Sequence, residues 1–152
     1  MLPTPRKYKI ALGSSEGKTM LSAFDGALLE AGIGNINLVR VTSILPPFAA
    51  EAPGLIVPEG SLVPAAYGTT CSDMPDQIIS AAVGIGFTHD SFGVIMEYSG
   101  KEGREEAEAV VKTMLEDAFK NRAIHLENMV VKGIEHRVRH VGAVVAAVVM
   151  WY

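Results

Sequence analysis

The chain has a single cysteine, Cys71. An intrachain disulfide is therefore excluded, and so is any metal site built from several thiolates. Long apolar runs are also missing. The longest, Val141 to Tyr152, falls short of the roughly 20 residues a helix needs to cross a bilayer. The segment Met1-Leu2-Pro3-Thr4-Pro5-Arg6-Lys7 has no apolar run behind its charges, so no secretory leader is expected and a cytoplasmic protein is. Basic residues are not in excess: Lys and Arg number 13 against 17 Asp and Glu, for a net charge of −4. A partner that is nucleic acid needs a basic patch, and none is visible. No linker, repeat or low-complexity segment divides the 152 residues, which suit one domain with its own core. What is abundant is apolar surface. Hydrophobic residues make up 49% and the mean hydropathy is +0.26, so much of the chain must be buried within the domain or between subunits.

Periodicity divides the chain into strands and two helices. Tyr8 to Leu12 reads as a strand, and Gly13-Ser14-Ser15-Glu16-Gly17 as a loop. Thr19 can cap a helix in which Leu21, Phe24 and Leu28 recur at helical spacing, with Gly32 as its stop. Ile36 to Ile44 alternates as one strand, with Ile36, Leu38, Arg40 and Thr42 on one face and Asn37, Val39, Val41 and Ser43 on the other. Pro46-Pro47 ends it, and Phe48 to Gly60 reads as an irregular loop. Leu62 to Thr70 is a strand in which Pro64 marks an edge or a start. Ile78 to Phe87 and Phe92 to Tyr98 are further strands. Ala107, Val110, Val111, Met114, Leu115, Ala118 and Phe119 form the apolar stripe of a long helix. Its start carries Glu102, Glu105 and Glu106 and its end Lys120 and Arg122, as the helix dipole favours. Met129 to Val138 and Val141 to Tyr152 close the chain as strands. Two helices against six or seven strands predict an α+β domain. Apolar residues on both faces of Ala81-Ala82-Val83 and Val144 to Val149 predict sheets covered on both sides.

Most candidate motifs dissolve on inspection. Gly13-Ser14-Ser15-Glu16-Gly17-Lys18-Thr19 has three residues between its glycines where a phosphate-binding loop needs four. His136 and His140 fall on predicted strand, where residues i and i+4 stand about 13 Å apart, so no metal pair is expected. His89 lies in a turn, His125 lies past a helix, and Cys71 reads as a small buried thiol. Asp25 by itself reads as a solvated helix residue, and Asn35 and Asn37 as backbone partners in a glycine turn. Glu97 has two readings. It marks the solvent side of its strand, or it shares a face with Gly93 and Ile95 and is a carboxyl among apolar neighbours. Such a group stays protonated and can donate a proton. Thr42-Ser43 taken alone is an ordinary strand pair.

Read together, these segments carry a resemblance. The runs Gly13-Ser14-Ser15-Glu16-Gly17, Ala23-Phe24-Asp25-Gly26-Ala27-Leu28-Leu29, Ala31-Gly32-Ile33-Gly34-Asn35-Ile36-Asn37-Leu38, Arg40-Val41-Thr42-Ser43-Ile44 and Pro46-Pro47 stand in this order. Val63-Pro64, Tyr67-Gly68, Ser72-Asp73, Ile79-Ser80-Ala81-Ala82, Gly93-Val94-Ile95-Met96-Glu97-Tyr98 and Trp151-Tyr152 follow. The whole resembles the pyruvoyl-dependent arginine decarboxylases. Position 42 is Thr where that pattern often has Ser.

The resemblance implies a four-layer α-β-β-α sandwich that cuts itself between Thr42 and Ser43, giving fragments 1–42 and 43–152. Ser43 attacks the carbonyl before it, the amide becomes an ester, elimination breaks the chain, and the new N-terminal residue hydrolyses to a pyruvoyl group. A serine hydroxyl is a weak nucleophile and must be held in place, with the new oxyanion hydrogen-bonded. Asn37 is implied to assist; it is six residues from Ser43, so a turn or a neighbouring chain must bring the two together. The pyruvoyl group then takes up the electrons left when CO2 departs, as pyridoxal phosphate does elsewhere, so neither that cofactor nor a metal is expected. Glu97 is implied as the proton donor and Asp25 as the partner of the guanidinium of L-arginine. Leu21, Gly34, Ile36 and Ile44 are implied to line the pocket. The products are agmatine and CO2, and the implied assembly is a homotrimer of cleaved protomers with sites between subunits. The alternatives are a pyruvoyl decarboxylase for another amino acid, an uncleaved trimer that binds a cationic metabolite without catalysis, and a nucleotide-binding protein using the short glycine loop.

Overall fold

The computed structural model describes residues 2–152. Its most apolar stretch, β9 (Gly142–Trp151), is the third of five strands in one sheet. β1 (Lys7–Glu16) pairs antiparallel with β9 along one side, from Lys7 opposite Trp151 to Glu16 opposite Gly142. β5 (Leu62–Ser72) pairs antiparallel with it along the other. Two short parallel strands form the edges, β2 (Asn37–Arg40) beside β5 and β4 (Ala50–Glu51) beside β1. The second sheet has four strands in the order β3 (Ile44–Leu45), β7 (Gly93–Gly100), β6 (Ile78–Phe87) and β8 (Asn128–Arg137).

The two sheets face each other across the main core, which includes Ile79, Val83, Ile85, Ile95, Val144 and Val148, all buried. α1 (Met20–Glu30) covers the outer face of the five-stranded sheet, burying Ala23 and Ala27 beside Ala143 and Val145. α2 (Arg104–Arg122) covers the outer face of the four-stranded sheet through Ala107, Val111, Leu115 and Phe119. The layers therefore run helix, sheet, sheet, helix, and the expected α+β four-layer sandwich is what the chain forms. Each central strand is apolar on both faces because each sheet has a covering layer on both sides.

Local chemistry accounts for the helix ends. Thr19 is extended and its Oγ1 accepts the Ser22 N–H at 3.0 Å, satisfying one of the free donors of the first turn. Gly32 follows at φ +75°, a left-handed conformation that glycine adopts without strain. Pro64 lies one residue before β5 begins to pair with β9, so its missing N–H interrupts no bond there.

Three expectations are corrected. Gly13 to Glu16 are strand, not loop: Gly13 serves close packing, since a Cβ there would strike the Ala27 carbonyl of α1. Phe48 to Gly60 is not wholly irregular, because Ala50 and Glu51 form β4. The single strand proposed from Ile36 to Ile44 is two strands in two different sheets, β2 and β3.

Candidate active site

The break between β2 and β3 falls at Val41-Thr42-Ser43. On the near side, the Val41 N–H donates to the Ala65 carbonyl of β5 at 3.0 Å. On the far side, the Ser43 carbonyl accepts the Ile95 N–H of β7 at 2.7 Å. The Thr42–Ser43 peptide thus belongs to neither ladder and is the bridge by which the chain passes from one sheet to the other. Thr42 is exposed and Ser43 half-buried.

Glu97 lies close along β7. Its alternation sends Val94, Met96 and Tyr98 toward α2 and Ile95 into the space between the sheets. Glu97, two residues beyond Ile95, shares that inner face. The carboxyl sits at the edge of the core, and its side chain is 27% exposed. Burial pushes its pKa up, and the attraction of Arg40 opposes that without cancelling it. The pair is 3.9 Å apart and Arg40 is about half exposed, so solvent screens it to roughly 0–1 kcal/mol; desolvation of the carboxyl therefore prevails.

Arg40 itself is held firmly. Its Nη1 donates to the Tyr67 carbonyl at 2.7 Å, and its guanidinium lies 3.9 Å from the centre of the Tyr67 ring. Neither contact was anticipated from sequence. The available signal was an arginine at the end of the apolar run Leu38-Val39.

The other candidate residues form separate groups. Leu21 and Asp25 are both exposed on α1, over the outer face of the five-stranded sheet, with Leu21 bordering a shallow apolar depression shared with Phe24 and Thr69. Gly34 and Ile36 line a cavity of about 350 Å³ with Lys9, Leu29, Leu55 and Glu59. Asn37 opens β2, at the strand end away from Thr42, and its Nδ2 donates to the Gly60 carbonyl at 3.0 Å. Ile44 follows the crossover and is 41% exposed. One chain thus brings Ser43, Ile44 and Glu97 together with Arg40, and does not bring Asp25, Leu21 or Asn37 to them.

The histidines lie elsewhere. His89 and His125 are exposed. His136 meets Glu16 at 2.7 Å, and His140 is in the turn before β9, where its N–H donates to the same carboxylate. Cys71 is half-buried, and burial raises its thiol pKa, as expected for an unreactive side chain. No helix among the described residues is long and apolar enough to cross a membrane.

Comparison with known proteins bears on the whole chain. The sequence model of the family described as pyruvoyl-dependent arginine decarboxylase matches residues 7–152. A protein of that name from Methanocaldococcus jannaschii is 45% identical over 150 residues, covering 97% of this chain and 91% of its own. Another from Pyrococcus furiosus is 43% identical over 153 residues, covering 97% and 96%. A third from Methanococcus maripaludis is 37% identical over 150 residues, covering 97% and 92%.

Proposed function

The chain belongs to the pyruvoyl-dependent arginine decarboxylase family, and from that premise we propose how its own residues divide the work. It is a carboxy-lyase that uses a pyruvoyl group to convert L-arginine to agmatine and CO2. The pyruvoyl group comes from Ser43. The Ser43 Oγ attacks the Thr42 carbonyl carbon; the peptide C–N bond breaks as the ester forms, and the nitrogen takes the proton. Loss of the Ser43 Cα proton then expels the Thr42 carboxylate. Water releases the nitrogen as ammonia, and the fragment 43–152 begins with pyruvoyl.

The observation that carries this reading is the position of the Thr42–Ser43 peptide between two ladders. A bond held in a ladder would have to break backbone hydrogen bonds to distort. This one can reach the tetrahedral geometry of attack while β2 and β3 stay paired. The Ser43 carbonyl remains in the chain after the cut, so the Ile95 N–H can keep the new end pinned to β7.

The pyruvoyl group supplies an electron sink for the pair left by departing CO2. Glu97, whose pKa burial raises, delivers the proton to the substrate carbon. Asp25 receives the guanidinium through paired hydrogen bonds, and Leu21, Gly34, Ile36 and Ile44 line the pocket. Asp25 and Glu97 lie on different layers of one chain, which supports a site completed by a second copy, with Asn37 also contributed across subunits and three protomers in the assembly. Exposed apolar side chains at Leu21, Leu29, Val39, Ile44 and Leu62 suit burial in such an assembly. The test is CO2 release from arginine without added pyridoxal phosphate. Wild-type protein should release it and Ser43→Ala should remain one chain and release none; equal activity in both would end the assignment.

A further inference from the structure

We infer that Arg40 is a positioning residue for decarboxylation, a clamp that fixes the Glu97 carboxyl beside the reacting carbon. The inference rests on the role proposed for Glu97. Three contacts hold the clamp: the Arg40 guanidinium stacks on the Tyr67 ring, donates to the Tyr67 carbonyl, and lies 3.9 Å from Glu97 Oε1. Stacking and the carbonyl bond fix the guanidinium plane before any substrate arrives. The clamp also spans the cut, since Arg40 is on fragment 1–42 while Tyr67 and Glu97 are on fragment 43–152. Arg40 thereby ties the severed end of β2 to both sheets.

Arg40 is the charged group paired with Glu97 among the described residues. The facing residue on β6 is Val83, and β3 offers only Ile44 and Leu45. Of the nearby tyrosines, Tyr67 on β5 is occupied by Arg40, and Tyr98 on β7 meets Glu102 and packs toward α2. Removing the positive charge therefore raises the Glu97 pKa further. Lysine restores the charge but cannot stack and donate in one plane as arginine does.

The test compares Arg40→Met and Arg40→Lys with wild type, each checked for self-cleavage by mass, in arginine turnover across pH. Arg40→Met should lower kcat about ten- to a hundredfold and change KM less than about threefold, as expected for a displaced catalytic group. Its alkaline limb, where protonated Glu97 is lost, should move to higher pH. Arg40→Lys should return the limb toward wild type with only partial recovery of kcat. Should Arg40→Met fail to fold or cleave, Tyr67→Leu removes the stack instead, and kcat should fall with KM held. Unchanged kcat and an unmoved limb would overturn the clamp, as would kcat and KM worsening together with the limb in place. Glu97→Gln separates the two readings. If it stays active, the role of Glu97 itself fails; if it is inactive while the Arg40 profiles match wild type, only the clamp fails.

Discussion

Glu97 is subject to opposing influences, and the balance sets its chemistry. Burial at the core edge favours the neutral acid, while half-exposed Arg40 favours the anion and loses. The folded-state pKa is raised, so the proton is held to higher pH than on a free carboxyl and lost as pH rises through the raised value. Activity that depends on this proton falls on the alkaline side. Glu97→Gln should cut kcat by about 10²–10⁴ and remove that limb, while self-cleavage continues by mass. A wild-type limb in the variant would assign the proton to another group. The strand position of Glu97 was legible, with Gly93 and Ile95 on its side, but the pattern left open which side was inward because Val94, Ile95 and Met96 are apolar on both faces. The role of Arg40 was not legible. It depends on Tyr67, brought within reach by parallel pairing of β2 with β5, and no local pattern encodes that partner.

At the scale of elements, the turn between β8 and β9 is fastened by one carboxylate. Burial alone would raise the Glu16 pKa, but bonds from the His140 N–H, the His136 ring and the Arg139 N–H outweigh it and lower it below 4.5. A lowered folded-state pKa contributes stability that is present above the unfolded value and lost as pH falls through the folded one. Glu16→Gln should therefore melt roughly 3–6 °C lower near neutral pH, as expected for losing bonds to a charge. The gap from wild type should close as pH drops below about 4.5; a gap independent of pH would locate the stabilisation elsewhere. Glu16 was hidden in sequence because Gly13 suggested a turn. The glycine is needed for the approach of α1, and the strand simply continues. The helix-facing stripe of α2 and the strands β6 to β9 were readable, since periodicity and burial coincide there. The split between β2 and β3 was not, because Ile36 to Ile44 contains no Pro or internal Gly after Asn35. Only the competing pairings with β5 and β7 break it.

For the whole molecule, the proposed cut would fall where the architecture tolerates it. Fragment 1–42 would keep β1 and β2 in the five-stranded sheet and α1 over its outer face, with β1 paired to β9 along its full length. Fragment 43–152 would keep the entire four-stranded sheet. The separation of Asp25 from Glu97 predicts complementation. Asp25→Asn and Glu97→Gln chains, each nearly inactive alone, should regain activity when produced together, well above the sum of the two. No gain on mixing would mean that both carboxyls serve one site within a single chain. The central claim is the self-cleavage itself, and an intact mass of the purified, denatured protein addresses it directly. Two fragments, 1–42 and 43–152, the second beginning with pyruvoyl, are the predicted result; a single uncut chain of 152 residues would contradict it.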